Sequence, residues 1–178
     1  MFNTLKLDVN GNLCGSHAYG DEPPSLPPDE IACTSAQAQA PQAWSFVNGA
    51  LIESITFARA SQCANLSVAC AGAIVAGFAS SALGVPHTYP SQPTDQSNLI
   101  GAEAASRNPA NPSTWTVPFW CADSTGVWAL RAHTAAQIQQ VLADGVAARV
   151  ALSQKLAGLV AQVNAATTIA AVQAVVWA

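Results

Sequence analysis

The sequence predicts an α+β protein: a small N-terminal β module, then a long α-helical hairpin or coiled-coil-like stalk with an inserted aromatic β-hairpin. Three observations predict it. Strand-like runs with turn dipeptides crowd into residues 1–54. Ala-rich stretches with apolar residues at three- and four-residue steps dominate 55–178. Within the latter, near 116–132, an aromatic segment interrupts the helical pattern around a Gly-bearing turn.

In the front module, Phe2, Leu5, Leu7 and Val9 lead into Asn10-Gly11, a hairpin-turn pair, and Leu13 and Cys14 follow it. The segment Asp21 to Asp29 holds Pro23, Pro24, Pro27 and Pro28. Prolines at that density cannot form helix interior, so an extended connector is expected. Trp44, Phe46 and Val47, then Asn48-Gly49, then Leu51 and Ile52 predict a second hairpin.

From about Thr56 to Leu83 the period turns helical, with Cys63, Leu66, Cys70, Ile74, Gly77 and Phe78 on one stripe and Gly84 and Pro86 as the stop. Leu66 to Val85 carries no charge, which raises a membrane span. Its residues are mostly Ala, Ser and Gly, however, which gain little from lipid, so close helix packing is the better account. Thr94 can cap a helix from Asp95 to about Arg107, ended by Asn108-Pro109-Ala110-Asn111-Pro112. Val117 to Ala122 and Val127 to Ala132 then read as two strands around Asp123-Ser-Thr-Gly126.

Thr134-Ala-Ala-Gln137 is a capping box, so a long helix is expected over 135–165. Ile138, Gly145, Leu152, Leu159 and Leu142, Arg149, Leu156, Val163 make two seven-residue series, a heptad seam flawed at Gly145 and Arg149. Such a seam needs a partner, the 56–83 helix, another subunit or both, so a homo-oligomer through 135–165 is one expectation. Thr167 or Thr168 can cap a last short helix bearing Ile169, Val172, Val176 and Trp177.

Composition narrows the function. Charged residues make up only 9%, well under the usual quarter, which favours surface hidden in an oligomer or complex. Six scattered Lys and Arg form no basic stripe, so nucleic acid is not an expected partner. The opening MFNTLKLDVNGN lacks the basic and apolar regions of a signal peptide, so secretion by that route is not expected. Cys14-x-x-His17 resembles half of a zinc site without a matching second half, and no metal or cofactor is expected.

Catalytic patterns are missing as well. There is no phosphate loop, no G-x-S-x-G elbow and no paired carboxylate motif. Cys121 and His133 could be drawn as a nucleophile and base, but register across the turn sets Cys121 nearer Trp128 or Ala129 than His133. A non-enzyme is the expectation. Tyr89, Trp115, Phe119, Trp120, Trp128 and Trp177 remain as candidates for packing or partner binding, since aromatic anchors of this kind dominate protein interfaces.

The runs A-L-G-V-P-H-T-Y-P, T-D-Q-S-N-L, T-V-P-F-W-C-A-D, G-V-W-A-L-R-A-H-T-A-A-Q-I-Q-Q-V and A-V-V-W resemble a domain of unknown function in tailed-phage and prophage proteins. Many of those proteins are tail-fibre assembly or tail-fibre-associated proteins. The resemblance spans roughly Arg59 to Trp177, and Ala82–Gln140 is its specific part. It implies a non-enzymatic, chaperone-like factor that binds a tail-fibre or baseplate protein in the bacterial host cytoplasm. The alternative it implies is a structural subunit that stays on the virion tail. A third reading is a membrane-active phage protein.

Overall fold

The computed structural model describes residues 1–23 and 25–178 of the chain; Pro24, expected in the extended connector, lies outside the described residues. The chain forms two compact units, described separately below. The first joins Met1–Ala64 to Ala161–Val176, and the second joins Asn65–Val160 to Trp177–Ala178.

In the first unit, β1 (Phe2–Leu7) lies between β2 (Leu13–Tyr19) and β3 (Glu30–Cys33), antiparallel to both. The β1–β2 turn is built by Asp8, whose carboxylate accepts the Asn10 and Asn12 N–H groups at 2.8 and 2.9 Å, with Gly11 at φ +80°. Among the described residues of the strap, Pro23, Pro27 and Pro28 lie outside helix and strand, and the Asp29 carbonyl accepts the Leu7 N–H at 2.8 Å. A capped turn of helix, α1 (Ser35–Gln39), precedes β4 (Trp44–Val47) and β5 (Ala50–Glu53). Asn48 and Gly49 both take positive φ, as a two-residue hairpin loop requires.

One buried carboxylate ties the three-stranded sheet together. Glu30 on β3 accepts the Thr4 hydroxyl at 2.6 Å, the Tyr19 hydroxyl at 2.9 Å and His17 Nδ1 at 3.4 Å, and Lys6 Nζ stands 3.5 Å away. The Thr4 hydroxyl first, then the Tyr19 hydroxyl and the His17 ring, hold its carboxyl down at about 2 against burial, which pushes the other way. His17 Nδ1 is therefore turned to the Glu30 carboxylate, while Cys14 is exposed.

Two helices run through both units: α2 (Ile55–Val75) and α4 (Ala135–Ala165). In the first unit, Arg59 Nη2 donates to the Ala166 carbonyl at 2.8 Å, and Gln62 to that of Val175 at 2.5 Å. Thr168 caps α5 (Ile169–Gln173) by accepting the Ala171 N–H at 3.2 Å.

In the second unit, β6 (Phe78–Ser80), β7 (His87–Tyr89), β8 (Thr116–Ala122) and β9 (Trp128–Thr134) form an antiparallel sheet in that order, with α3 (Pro93–Ser106) between β7 and β8 in sequence. Its core gathers Tyr89, Leu99, Phe119, Cys121, Ile138 and Val141. The capping box at Thr134 forms: Thr134 N–H reaches Gln137 Oε1 at 2.8 Å, and Gln137 N–H reaches Thr134 Oγ1 at 3.4 Å. α3 starts earlier than expected, with Pro93 in its first turn and Asp95 accepting the Gln92 N–H at 3.0 Å.

The expected α+β arrangement, a β module followed by a helical hairpin or stalk with one inserted aromatic β-hairpin, is overturned. The protein is a mixed α/β fold, 45% helix and 25% strand, with three sheets and five α-helices among the described residues. The reason lies after Val75, where the helix expected to reach Leu83 stops. Gly77 takes φ +106°, and a Cβ there would sit 2.5 Å from the Tyr89 carbonyl oxygen, so the chain turns out of the helix and pairs Phe78 with Tyr89. The aromatic hairpin is thereby half of a four-stranded sheet rather than an insert in a stalk.

The two flaws in the heptad seam have internal explanations. Gly145 makes room for Phe78, whose ring atoms would meet an added Cβ at 2.8 Å. Arg149 Nη1 donates to Gln96 Oε1 on α3 at 2.7 Å. Ile138, Gly145 and Val163 are buried, while the other seam residues are half-buried. Among the described residues, no helix is long and apolar enough to cross a membrane.

Candidate functional site

Strand alternation sorts the hairpin's side chains onto two faces. β8 and β9 pair Trp120 with Leu130, Cys121 with Ala129, and Ala122 with Trp128. Residues two apart share a face, so Trp120, Leu130 and Trp128 stand together, and Phe119, Cys121 and His133 stand on the opposite side. The first three remain 46%, 63% and 42% exposed, whereas Phe119 is buried and Cys121 and His133 are fully so.

A buried polar contact fixes the inner face. The Tyr89 hydroxyl lies 2.8 Å from His133 Nε2, and His133 Nδ1 lies 2.8 Å from the Arg131 carbonyl. A carbonyl can only accept, so Nδ1 carries the proton and Nε2 accepts the Tyr89 O–H. The Tyr89 ring stacks on Phe78 at 5.7 Å and leans on Phe119 at 6.4 Å. Burial pushes the His133 pKa down and those of Tyr89 and Cys121 up, so all three are neutral near pH 7. Cys121 and His133 face Ala129 and Val117 across the ladder rather than each other. With Tyr89, Cys121 and His133 all fully buried, this cluster is a pillar of the core, out of reach of a substrate.

The hairpin tip is pinned too. Asp123 accepts the Thr125 hydroxyl at 2.6 Å, Arg131 Nη2 at 2.7 Å, and the Thr125 and Val127 N–H groups at 3.0 and 3.1 Å. The Thr125 hydroxyl above all, then Arg131, holds the Asp123 carboxyl well below the usual carboxylate range. Gly126 at φ +83° closes the turn.

Beside the exposed face runs an open groove of about 280 Å3. Pro118, Trp120 and Leu130 form its sheet wall, and Asp95, Asn98 and Ala102 of α3 form the other. An apolar wall opposite a carboxylate and a carboxamide suits a protein segment better than a small polar molecule. It could take apolar side chains on one side and backbone N–H groups on the other.

The six candidate residues thus divide. Trp120 and Trp128 are exposed and form the site, while Tyr89 and Phe119 support it from beneath. Trp115 is half-buried against the core. Trp177 stands apart under Lys155, whose Nζ lies 4.6 Å above its ring and which also donates to the Ala178 carbonyl. Leu130, Pro118, Asp95 and Asn98 were not anticipated as site residues. Leu130 was legible, because it lies two residues from Trp128 on one strand; the contribution of α3 was not, because it needs the tertiary fold. Among the described residues, no group of three or more His, Cys, Asp or Glu is arranged to hold a metal ion.

No curated protein and no solved structure matches the chain. A family model, described as a domain of unknown function (DUF4376), matches residues 57–176, a span that includes the four-stranded sheet, α3, α4 and all but the first two residues of α2. This match covers most of the molecule, and the chain belongs to the DUF4376 family.

Proposed function

We propose that this protein is a non-enzymatic tail-fibre assembly factor of a tailed phage, acting in the host cytoplasm by binding a tail-fibre subunit. The observation that carries the binding role is the exposed Trp120–Trp128–Leu130 face on a hairpin anchored from behind by Tyr89 and His133. Large aromatic side chains held rigidly at the surface lose little entropy on association and supply most of the contact energy at interfaces. The fibre as partner rests on the likeness of the Ala82–Gln140 segment to tail-fibre-associated proteins.

Co-expression with the tail-fibre subunit of the same phage tests this reading. The tagged chain is expected to retain the fibre subunit, and the doubly substituted Trp120→Ala/Trp128→Ala chain to lose it while its melting behaviour stays cooperative. Equal retention by both chains, or by neither, rejects the proposal. Mass spectrometry of purified particles then separates a factor that leaves from a subunit that stays on the fibre or baseplate.

A further inference from the structure

The sheet of the second unit ends on one long, open strand. Asp123 and Val127 face each other across the hairpin, the Asp123 N–H donating to the Val127 carbonyl at 3.1 Å. Two residues at a time along the antiparallel ladder, Cys121 with Ala129, Phe119 with Arg131 and Val117 with His133 therefore exchange the cross-strand hydrogen bonds. The N–H and C=O groups of Trp128, Leu130 and Ala132 turn the other way, to the side where β9 has no neighbouring strand. None of them makes a backbone hydrogen bond there among the described residues. Thr134 closes this edge, its N–H being taken by Gln137 Oε1 at 2.8 Å.

Open sheet edges are commonly guarded by a short strand, a lysine, a proline or a bulge. At the opposite edge of the same sheet, β6 has only three residues. β9 has seven, with neither lysine nor proline, and runs in unbroken register with β8. Its one charged residue, Arg131, lies on the inner face and is bonded to Asp123 at 2.7 Å. The strand also fits itself. With a two-fold axis at Leu130, antiparallel pairing sets Leu130 against its own copy and Trp128 against Ala132, a large side chain beside a small one. Every outward donor then meets an acceptor. Arg131 falls opposite Ala129, so no like charges oppose each other across the junction. On the outer face, the exposed strip of Trp120, Trp128 and Leu130 continues from one copy into the next.

We infer that β9 pairs antiparallel with β9 of a second copy about Leu130, so that the chain is a dimer built through one continuous sheet. Main-chain hydrogen bonds supply the pairing, and the Leu130–Leu130 and Trp128–Ala132 contacts fix its register. The low charge content, 9%, agrees with surface hidden between chains. Edge pairing leaves the outer face of each hairpin open, and the dimer does not rest on the proposed fibre partner.

The test is sedimentation of the full chain over a range of concentrations, with charges placed on the axis. The wild-type chain is expected to run at twice the chain mass. Leu130→Lys sets two cations against each other and Leu130→Glu two anions, so each variant alone should dissociate at least about tenfold more readily. Leu130 is exposed, and both variants should keep a cooperative melt. An equal mixture of the two should dimerise again, because only a register centred on Leu130 brings the opposite charges together. Trp120→Ala, on the neighbouring strand, should leave the dimer intact whether or not it affects fibre binding. A wild-type monomer at every concentration, a dimer that Leu130→Lys leaves intact, a mixture that stays monomeric, or a dimer dissolved by Trp120→Ala would each overturn the inference.

Discussion

The Tyr89 hydroxyl donates to His133 Nε2 across 2.8 Å, joining the short strand β7 to the last strand of the sheet with both side chains fully buried. The bond holds only while the imidazole is neutral. Tyr89→Phe keeps the ring but leaves Nε2 without a donor, and should cost about 1–3 kcal/mol in denaturant unfolding.

The same pair sets a pH dependence. Burial holds the folded His133 pKa below its ordinary 6.5, so the unfolded chain takes up this proton first. Its contribution is complete above 6.5 and declines as pH falls through and below that value. Urea midpoints at about pH 8 and about pH 5.5 should therefore differ in the wild-type chain, and His133→Gln should shrink the difference. An unaltered difference would assign it to other groups.

Three glycines should respond differently to the same added methyl. Gly77→Ala meets a backbone oxygen at 2.5 Å in a positive-φ conformation and should cost about 2 kcal/mol or more. Gly145→Ala meets Phe78, whose ring is held by its stack on Tyr89, so overlap should outweigh the gain in helix propensity. Gly158→Ala, in the same helix, meets nothing within 4 Å and should stabilise by about 1 kcal/mol. Thermal melts of the three variants give the order directly.

Acid should loosen the first unit through Glu30. Its folded pKa is lowered from 4.5 to about 2, so the stability it contributes is present above 4.5 and is lost as pH falls towards 2. Glu30→Gln should lower the melting temperature at neutral pH and flatten its decline in acid. A variant as acid-sensitive as the parent would place the acid response elsewhere.

Truncating the exposed tryptophans should separate binding from stability. Each is near half exposed, so Trp120→Ala or Trp128→Ala should cost about 1 kcal/mol of folding stability rather than the roughly 3–5 kcal/mol of a fully buried aromatic. Partner affinity should fall at least about tenfold. A large stability loss with unchanged binding would make the two residues structural.

Local signals proved readable where a few neighbouring residues settle the hydrogen bonds. Asn48-Gly49 announces its hairpin, and Thr134 with Gln137 announces the start of α4. The series from Ile138 to Val163 marks the half-buried to buried face of that helix because its seven-residue spacing, two helical turns, is written along the chain itself. Phe78–Ser80 and His87–Tyr89 carry no such period. Each is three residues long and becomes a strand only through its neighbours in the sheet. Gly145 and Arg149 likewise look like defects until Phe78 and Gln96 arrive from elsewhere in the fold. Sequence alone thus defined the two hairpin turns at Asn48-Gly49 and Asp123–Gly126 and the cap at Thr134, which depend on contacts within a few residues, whereas α3 is capped at Gln92 instead of Thr94. Packing between distant segments made the tryptophan hairpin part of a sheet and left Trp120 and Trp128 outside while Tyr89 and His133, 44 residues apart, closed the core beneath them.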